Sequence, residues 1–197
     1  KTRMHPAFGD TGKPKPNYRL PESNIRYNGA RKLEGWEKPD FDDCGWRQPQ
    51  AIGKPGDAPW NRLVRRPIPQ WKTSDIRDYE NTSALELPRP SEGEQLACEL
   101  PYDAHVTPYL KVRAPRGKTI DIRTDAYKAA GPASVRAEYV TREGVQEYEN
   151  PGWMSGHKVL YTVPAGVEIL ELGYRESGYD VEFAGAFECD DEILNGL

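Results

Sequence analysis

The sequence predicts an all-β protein, a β-sandwich or jelly roll, with the start of a helix at its C-terminus. Three observations carry that expectation. Apolar or alternating runs recur about every ten residues over the second half of the chain, as they do in sandwiches. Turn residues separate these runs. The 18 glycines and 18 prolines break the chain too often for helices of normal length.

In chain order, residues 1–24 are rich in Pro, Lys, Gly and Asn and follow neither period, so they are predicted to be loop or edge. From Ile25 to Ile76 the stretch is aromatic and Pro-rich, with Trp36, Phe41, Trp46, Trp60 and Trp71 among six prolines from Pro39 to Pro69. Short strands and ordered turns fit there. Residues 78–94 have the composition of a linker, with at most one short strand around Leu85–Leu87.

The pattern then sharpens. Gln95–Leu100, Tyr109–Ala114 and Thr119–Thr124 are predicted strands, broken by Pro101, Pro108 and Pro115 to Gly117. Arg136–Thr141 and Val145–Glu149 flank Arg142 to Gly144, and Lys158–Val163 and Val167–Leu172 flank Pro164 to Gly166. Both short loops are predicted to close hairpins. Val181–Phe187 is predicted to be the closing strand. In the last ten residues, Asp190 is placed to cap a helix, and Asp191 and Glu192 suit its positive end. Ile193, Leu194 and Leu197 begin an apolar stripe that needs a partner, which predicts a helical domain downstream.

Charge excludes some functions. Lys and Arg number 27 against 31 Asp and Glu, with no long run of either sign. No nucleic-acid tract or membrane-binding patch is therefore expected, and no apolar stretch nears the roughly 20 residues that span a bilayer. Cys44, Cys98 and Cys189 form no CxxC pair, so free and mostly buried thiols are expected, with no disulfide framework and no metal site. His5, His105 and His157 are scattered. No phosphate-binding or nucleophile motif is present, so no cofactor and no catalytic residue is expected on this chain.

Three motifs carry candidate chemistry. Gly35 to Trp46 combines Trp36, Phe41 and Trp46 with Asp42 and Asp43. Such rings stack on the apolar faces of sugars, but they equally anchor a loop to a sheet while the aspartates make Asx turns, and the second reading is preferred. Calcium ligation by Asp42 and Asp43 is a further reading, for which the spacing names no other oxygen ligands. In Glu147 to His157, Glu147 and Glu149 share one strand face, which is preferred as a solvated face over a hydrolytic pair. Trp153 and His157 either rim a binding site or pack within their loop. In Gly173 to Tyr179, Arg175 and Glu176 between Tyr174 and Tyr179 either bind a polar ligand or pair across an interface with a neighbouring helical domain, and the second reading is preferred.

Two stretches carry a family resemblance. Asn28-Gly-Ala-Arg-Lys-Leu-Glu-Gly-Trp36, followed by Pro39-Asp-Phe-Asp-Asp-Cys-Gly-Trp46, is similar to the YDAR…GW…FDDSxW pattern of family 78-type bacterial α-L-rhamnosidases. Here Asn28-Gly29 stands for the usual Tyr-Asp, and Cys44 for Ser. The run from Tyr109 to Gly117, then Tyr161, Gly173 to Asp180 and Phe187 to Leu194, resembles the β-sandwich that leads into the family's catalytic (α/α)6 barrel.

The resemblance implies a parent glycosidase that removes terminal α-L-rhamnose with inversion, using two carboxylates on a barrel this chain lacks. It implies a galactose-binding-like or concanavalin-like jelly roll over 85–187, preceded by the end of another sandwich module and a Pro-rich linker (1–84). Residues 188–197 would then lead into the catalytic domain. The implied role is non-catalytic and accessory, with a carbohydrate-binding module or a structural spacer as alternatives. Its partners would be a rhamnosylated glycan and the downstream helical domain. Trp153, His157, Tyr174, Arg175, Tyr179, Arg31 and Trp36 are the candidate sugar contacts. The resemblance also implies a periplasmic or extracellular location.

Overall fold

A single strand organises the architecture. The structure, a computed structural model, describes residues 3–11, 24–59, 61–125, 136–182 and 184–195. Its strands are β1 (Phe8–Asp10), β2 (Ile25–Asn28), β3 (Trp71–Thr73), β4 (Arg89–Pro90), β5 (Gln95–Ala114), β6 (Thr119–Thr124), β7 (Arg136–Val140), β8 (Gly144–Glu149), β9 (Met154–Thr162) and β10 (Glu168–Tyr179), followed by a short helix α1 (Glu192–Asn195). The two strands expected over 95–100 and 109–114 are one strand, β5, with a register break between Glu99 and Ala104. Pro101 lies in that break and has no N–H for a ladder, so the strand bends there instead of ending.

Hydrogen bonding joins these strands into one mixed sheet in the order β1-β2-β7-β6-β9-β5-β10-β3, with β4 on β10 and β8 on β5. The bend in β5 lets the sheet fold over. Its first part pairs with β9 from Gln95 to Val106, while its second part lies between β8 and β10. The two layers then face each other. Tyr161 on β9 donates across the core to the carbonyl of Tyr109 (3.0 Å), and Tyr139 on β7 stacks on Tyr148 of β8 with ring centroids 4.5 Å apart. The result is the all-β sandwich that the sequence predicts.

Period-two burial explains the core. Leu96, Cys98 and Leu100 on β5, Ile120 and Ile122 on β6, and Val159 and Tyr161 on β9 point inward, while their neighbours are more exposed. Strands from both ends of the chain enter the same sheet. β2 runs parallel to β7 (Tyr27 opposite Tyr139), and β3 lies antiparallel to the end of β10 (Trp71 opposite Tyr179).

Several local expectations are corrected. The loops at Arg142 to Gly144 and Pro164 to Gly166 do not close hairpins, because β7 pairs with β2 and β6 while β8 pairs with β5, and β9 pairs with β5 and β6 while β10 pairs with β3, β4 and β5. They are corners between layers, turned on Gly144 (φ 88°) and Gly166 (φ 83°). The closing strand expected over 181–187 is absent at its described positions, and β10 instead continues to Tyr179. The stretch 78–94 carries a 3-10 turn at Thr82–Leu85 and the strand β4, and it puts Tyr79 and Leu85 into the core. Cys98 is buried, Cys189 is half-buried and Cys44 is exposed, so burial is not general to the thiols. Asp191, not Asp190, caps α1, its carboxylate accepting from the N–H groups of Ile193 (2.9 Å) and Leu194 (3.4 Å).

Candidate functional site

A chemically varied surface lies where β3, the end of β10 and the bend of β5 meet. A cleft of about 290 Å3 opens there, lined by Lys72, Ser74, Arg77, Tyr102, Glu176 and Tyr179 among others. Each lining segment has a structural reason to be there. β3 adds to the free edge of β10, and Arg77 continues the contact through backbone bonds in both directions with Tyr174. Tyr102 follows Pro101 in the unpaired bend of β5, so its side chain leaves the sheet face and reaches β10.

The polar floor is tightly connected. Glu176 accepts from the Tyr102 hydroxyl through Oε1 (2.5 Å) and from the Arg77 guanidinium through Oε2 (2.7 Å). The hydrogen bond to the Glu176 carboxylate raises the Tyr102 phenol above its ordinary pKa, with burial adding to the effect. The Ser74 hydroxyl accepts from the Glu176 N–H (3.0 Å). At the rim, Lys72 pairs with Asp180 (2.9 Å), and Tyr179 meets Trp71 edge-on with ring centroids 5.5 Å apart.

A second feature is an apolar groove of about 350 Å3 formed by Met4, His5, Phe8, Leu33, Trp36 and Trp46 with Arg3. The His5 ring meets Phe8 at 5.2 Å and Trp36 at 6.1 Å. Phe41 packs on Trp46 (5.6 Å) and Asp42 makes an Asx turn to the Cys44 N–H (2.9 Å), as the loop-anchoring reading expects. Trp36 nevertheless remains exposed.

The candidate sugar contacts do not converge. Tyr179 lines the cleft. Tyr174 is buried against Tyr79 (5.1 Å between centroids) and presents no face to solvent. Arg175 is tied to Glu149 (3.0 Å) and to the Ser74 carbonyl (3.0 Å). Trp153 packs edge-on against His105 (4.9 Å), whose Nδ1 lies 3.0 Å from the Ser155 hydroxyl. His157 is exposed on β9, and its N–H donates to Asp125 (2.9 Å). Arg31 is exposed at the end of the 3-10 turn Gly29–Arg31, and Trp36 lies in the separate groove. Sequence reasoning missed Lys72, Arg77, Tyr102 and His105. Tyr102 carried one usable signal, its place beside a proline inside an otherwise alternating strand.

Carboxylates on these surfaces stand beside cations. Glu176 pairs with Arg77, Asp180 with Lys72, Glu149 with Arg175 and Glu147 with Lys111 (3.1 Å).

No family model matches the chain, and no curated protein matches it. Solved structures do. An α-L-rhamnosidase from Dictyoglumus thermophilum superposes with a TM-score of 0.62 at 23% identity, over 88% of this chain and 20% of that one. The fold is shared. A native α-L-rhamnosidase from Aspergillus terreus matches at a TM-score of 0.55 and 17% identity, again over 88% of this chain and 20% of that one. A GH78 family rhamnosidase of Bacillus sp. GL1, at 24% identity over 55% of this chain and 13% of that one, superposes at a TM-score of 0.46, too loosely to carry an argument. This chain thus spans about a fifth of the length of the two α-L-rhamnosidases whose fold it shares. Among the described residues no helix is long and apolar enough to cross a membrane.

Proposed function

We propose that this chain is a non-catalytic β-sandwich segment of a glycoside hydrolase that removes terminal α-L-rhamnose. The observation that carries the reading is the match of 88% of the chain to about one fifth of each of two α-L-rhamnosidases, at TM-scores of 0.62 and 0.55. The sequence resemblance to the region before a helical catalytic barrel agrees with it. On this reading the sandwich that braces the barrel is built on β4 to β10 and takes in β1, β2 and β3 from the first 84 residues, and 188–197 lead onward. The parent inverts, and it acts outside the cytoplasm on rhamnosylated glycans.

The surroundings of the carboxylates in the cleft and on β8 support the non-catalytic reading. Inversion needs two carboxylates roughly 6.5–9.5 Å apart, one of them held protonated as the acid. The carboxylates named above stand instead in ion pairs with Arg77, Lys72, Arg175 and Lys111.

The test compares the 197-residue chain with the full-length gene product that contains it, both offered an aryl α-L-rhamnoside. The expected result is hydrolysis by the full-length protein, with inverted product by NMR, and none by the chain alone. Hydrolysis by the chain alone overturns the accessory role. A full-length protein that cleaves other glycosides but not rhamnosides overturns the substrate.

A further inference from the structure

We propose that the cleft between β3, the end of β10 and the bend of β5 binds one neutral sugar ring. Binding would stack the ring on Tyr179 and Tyr102 and pair its hydroxyls with Glu176 and Lys72. The proposal takes from the preceding section only the choice of rhamnose as the first probe.

Three observations lead there. The first is aromatic exposure around a polar floor. Trp71, Tyr102 and Tyr179 remain 47%, 52% and 50% exposed, yet their positions are fixed, Tyr179 by Trp71 and Tyr102 by Glu176. Held but uncovered rings beside hydrogen-bonding groups suit a ligand with one apolar face and a polar perimeter, which describes a pyranose.

The second is charge balance. Lys72 and Arg77 face Asp180 and Glu176, so the four charges cancel in pairs. A phosphate or uronate would approach the Glu176 carboxylate, and a cation would approach Arg77. A neutral ligand meets neither penalty. Hydroxyls both donate and accept, so neighbouring hydroxyls match a floor that offers carboxylate lone pairs on one side and ammonium protons on the other. Glu176 uses one lone pair on each oxygen for Tyr102 and Arg77 and keeps capacity for a ligand. Arg77 is committed to Glu176 Oε2 (2.7 Å), so its role is to hold that carboxylate in place.

The third is size and rigidity. At about 290 Å3 the cleft falls at the lower limit of small-molecule sites, which fits a single ring better than an extended chain. Its walls come from hydrogen-bonded segments: β3 on β10, Ser74 bonded by backbone to Glu176 (2.9 Å), and Asp180 bonded by backbone to Gln70 (3.0 Å). Little order has to be gained on binding, which favours affinity in a site this small.

The experiment is titration calorimetry of the chain with methyl α-L-rhamnoside, methyl β-D-galactoside and sodium D-glucuronate. It is run on the natural chain and on the variants Tyr179→Ala and Glu176→Gln, with far-UV circular dichroism confirming that each variant is folded. Saturable heat with at least one neutral glycoside, weakened about tenfold or more in both variants, supports the proposal. Neutral binding that both variants keep places the site elsewhere and overturns it. Binding of glucuronate alone, or no saturation with any of the three sugars, also overturns it. The hydrolysis test fails separately. A rhamnosidase parent with a silent cleft sinks only this proposal, and sugar binding beside a parent inert on rhamnosides sinks only the earlier one.

Discussion

Between Gln95 and Tyr179 buried and exposed residues alternate along strand after strand, whereas no described residue from 32 to 70 is buried. The two regions draw on similar side chains. The second holds Leu33, Trp36, Phe41, Trp46, Ile52, Leu63, Val64 and Ile68. What separates them is spacing and backbone. In the strands, apolar residues fall at every second position and the N–H groups between them are free to enter a ladder. From 32 to 70 the apolar residues follow no period, and six prolines remove donors and fix φ, so no sheet face forms to bury them. Aromatic content does not mark the core here. None of the described tryptophans is buried, while Tyr79, Tyr139, Tyr148, Tyr161 and Tyr174 are. Tyrosine can cross the core and still satisfy its hydroxyl: Tyr79 and Tyr161 bond to each other (2.8 Å), and both reach the Gly173 carbonyl (3.0 and 3.2 Å).

The sharpest way to break the contrast is to delete equal volumes from both regions. Ile122→Ala, fully buried on β6, is expected to cost about 2–5 kcal/mol, and Ile52→Ala, in the Pro-rich stretch, about 0.5 kcal/mol or less. Urea midpoints at constant m-value measure both. Equal effects would mean that the Pro-rich stretch has a core of its own.

Alkali provides the next test. Burial raises the phenols of Tyr79 and Tyr161 well above their ordinary value and pushes Tyr139 up to about 12. The folded state therefore keeps protons that the unfolded state loses above about pH 10. Stability from these groups is complete below that pH and falls as pH rises toward their folded values, each titrating group adding about 1.4 kcal/mol per pH unit to the slope. Phenolate absorbance at 295 nm should rise in step with loss of the far-UV signal. Full phenol ionisation in a chain still folded would contradict the packing.

Two smaller effects refine the boundary between the regions. A Cβ at Gly173 would lie 2.8 Å from the Ile76 side chain and 3.0 Å from the Arg77 carbonyl, so Gly173→Ala should cost about 1–3 kcal/mol and loosen the Arg77 contact with β10. Exchange of the Arg77 amide, which bonds to Tyr174, reports that loosening. Tyr79→Phe removes one hydroxyl from the shared network while Tyr161 keeps its own acceptors, so about 1 kcal/mol is expected from thermal unfolding.

Much of the sandwich was legible because its signal is local. β6 falls on the expected Thr119–Thr124, and β7 and β8 begin or end within a residue of their expected limits. The partners of those strands were not legible. A glycine turn announces that the chain reverses, but the same turn serves a hairpin and a corner between layers, and only the completed core decides between them. The parallel pairing of β2 with β7 joins residues more than a hundred positions apart with no intervening pattern to reveal it. The candidate cleft shows the same division. Tyr179 was visible as an aromatic beside charged residues. Tyr102 and Arg77 reach it through a strand bend and an added edge strand, which are features of tertiary structure. Tyr174 was misplaced on the surface because strand β10 runs past the point where its alternation was expected to stop.

The contrast between the regions is measured most directly by residue-resolved amide hydrogen exchange on the intact chain. Amides from Tyr109 to Val112, where β5 lies between β8 and β10, should exchange only through global opening. Those from 32 to 70 should exchange near unfolded rates, except in turns such as Lys38 to the Gly35 carbonyl (2.9 Å) and Trp46 to the Asp43 carbonyl (2.9 Å). Strong protection spread through 32–70, or its loss along β5, would contradict a fold in which the bent strand carries the sandwich and the Pro-rich chain lies on its surface.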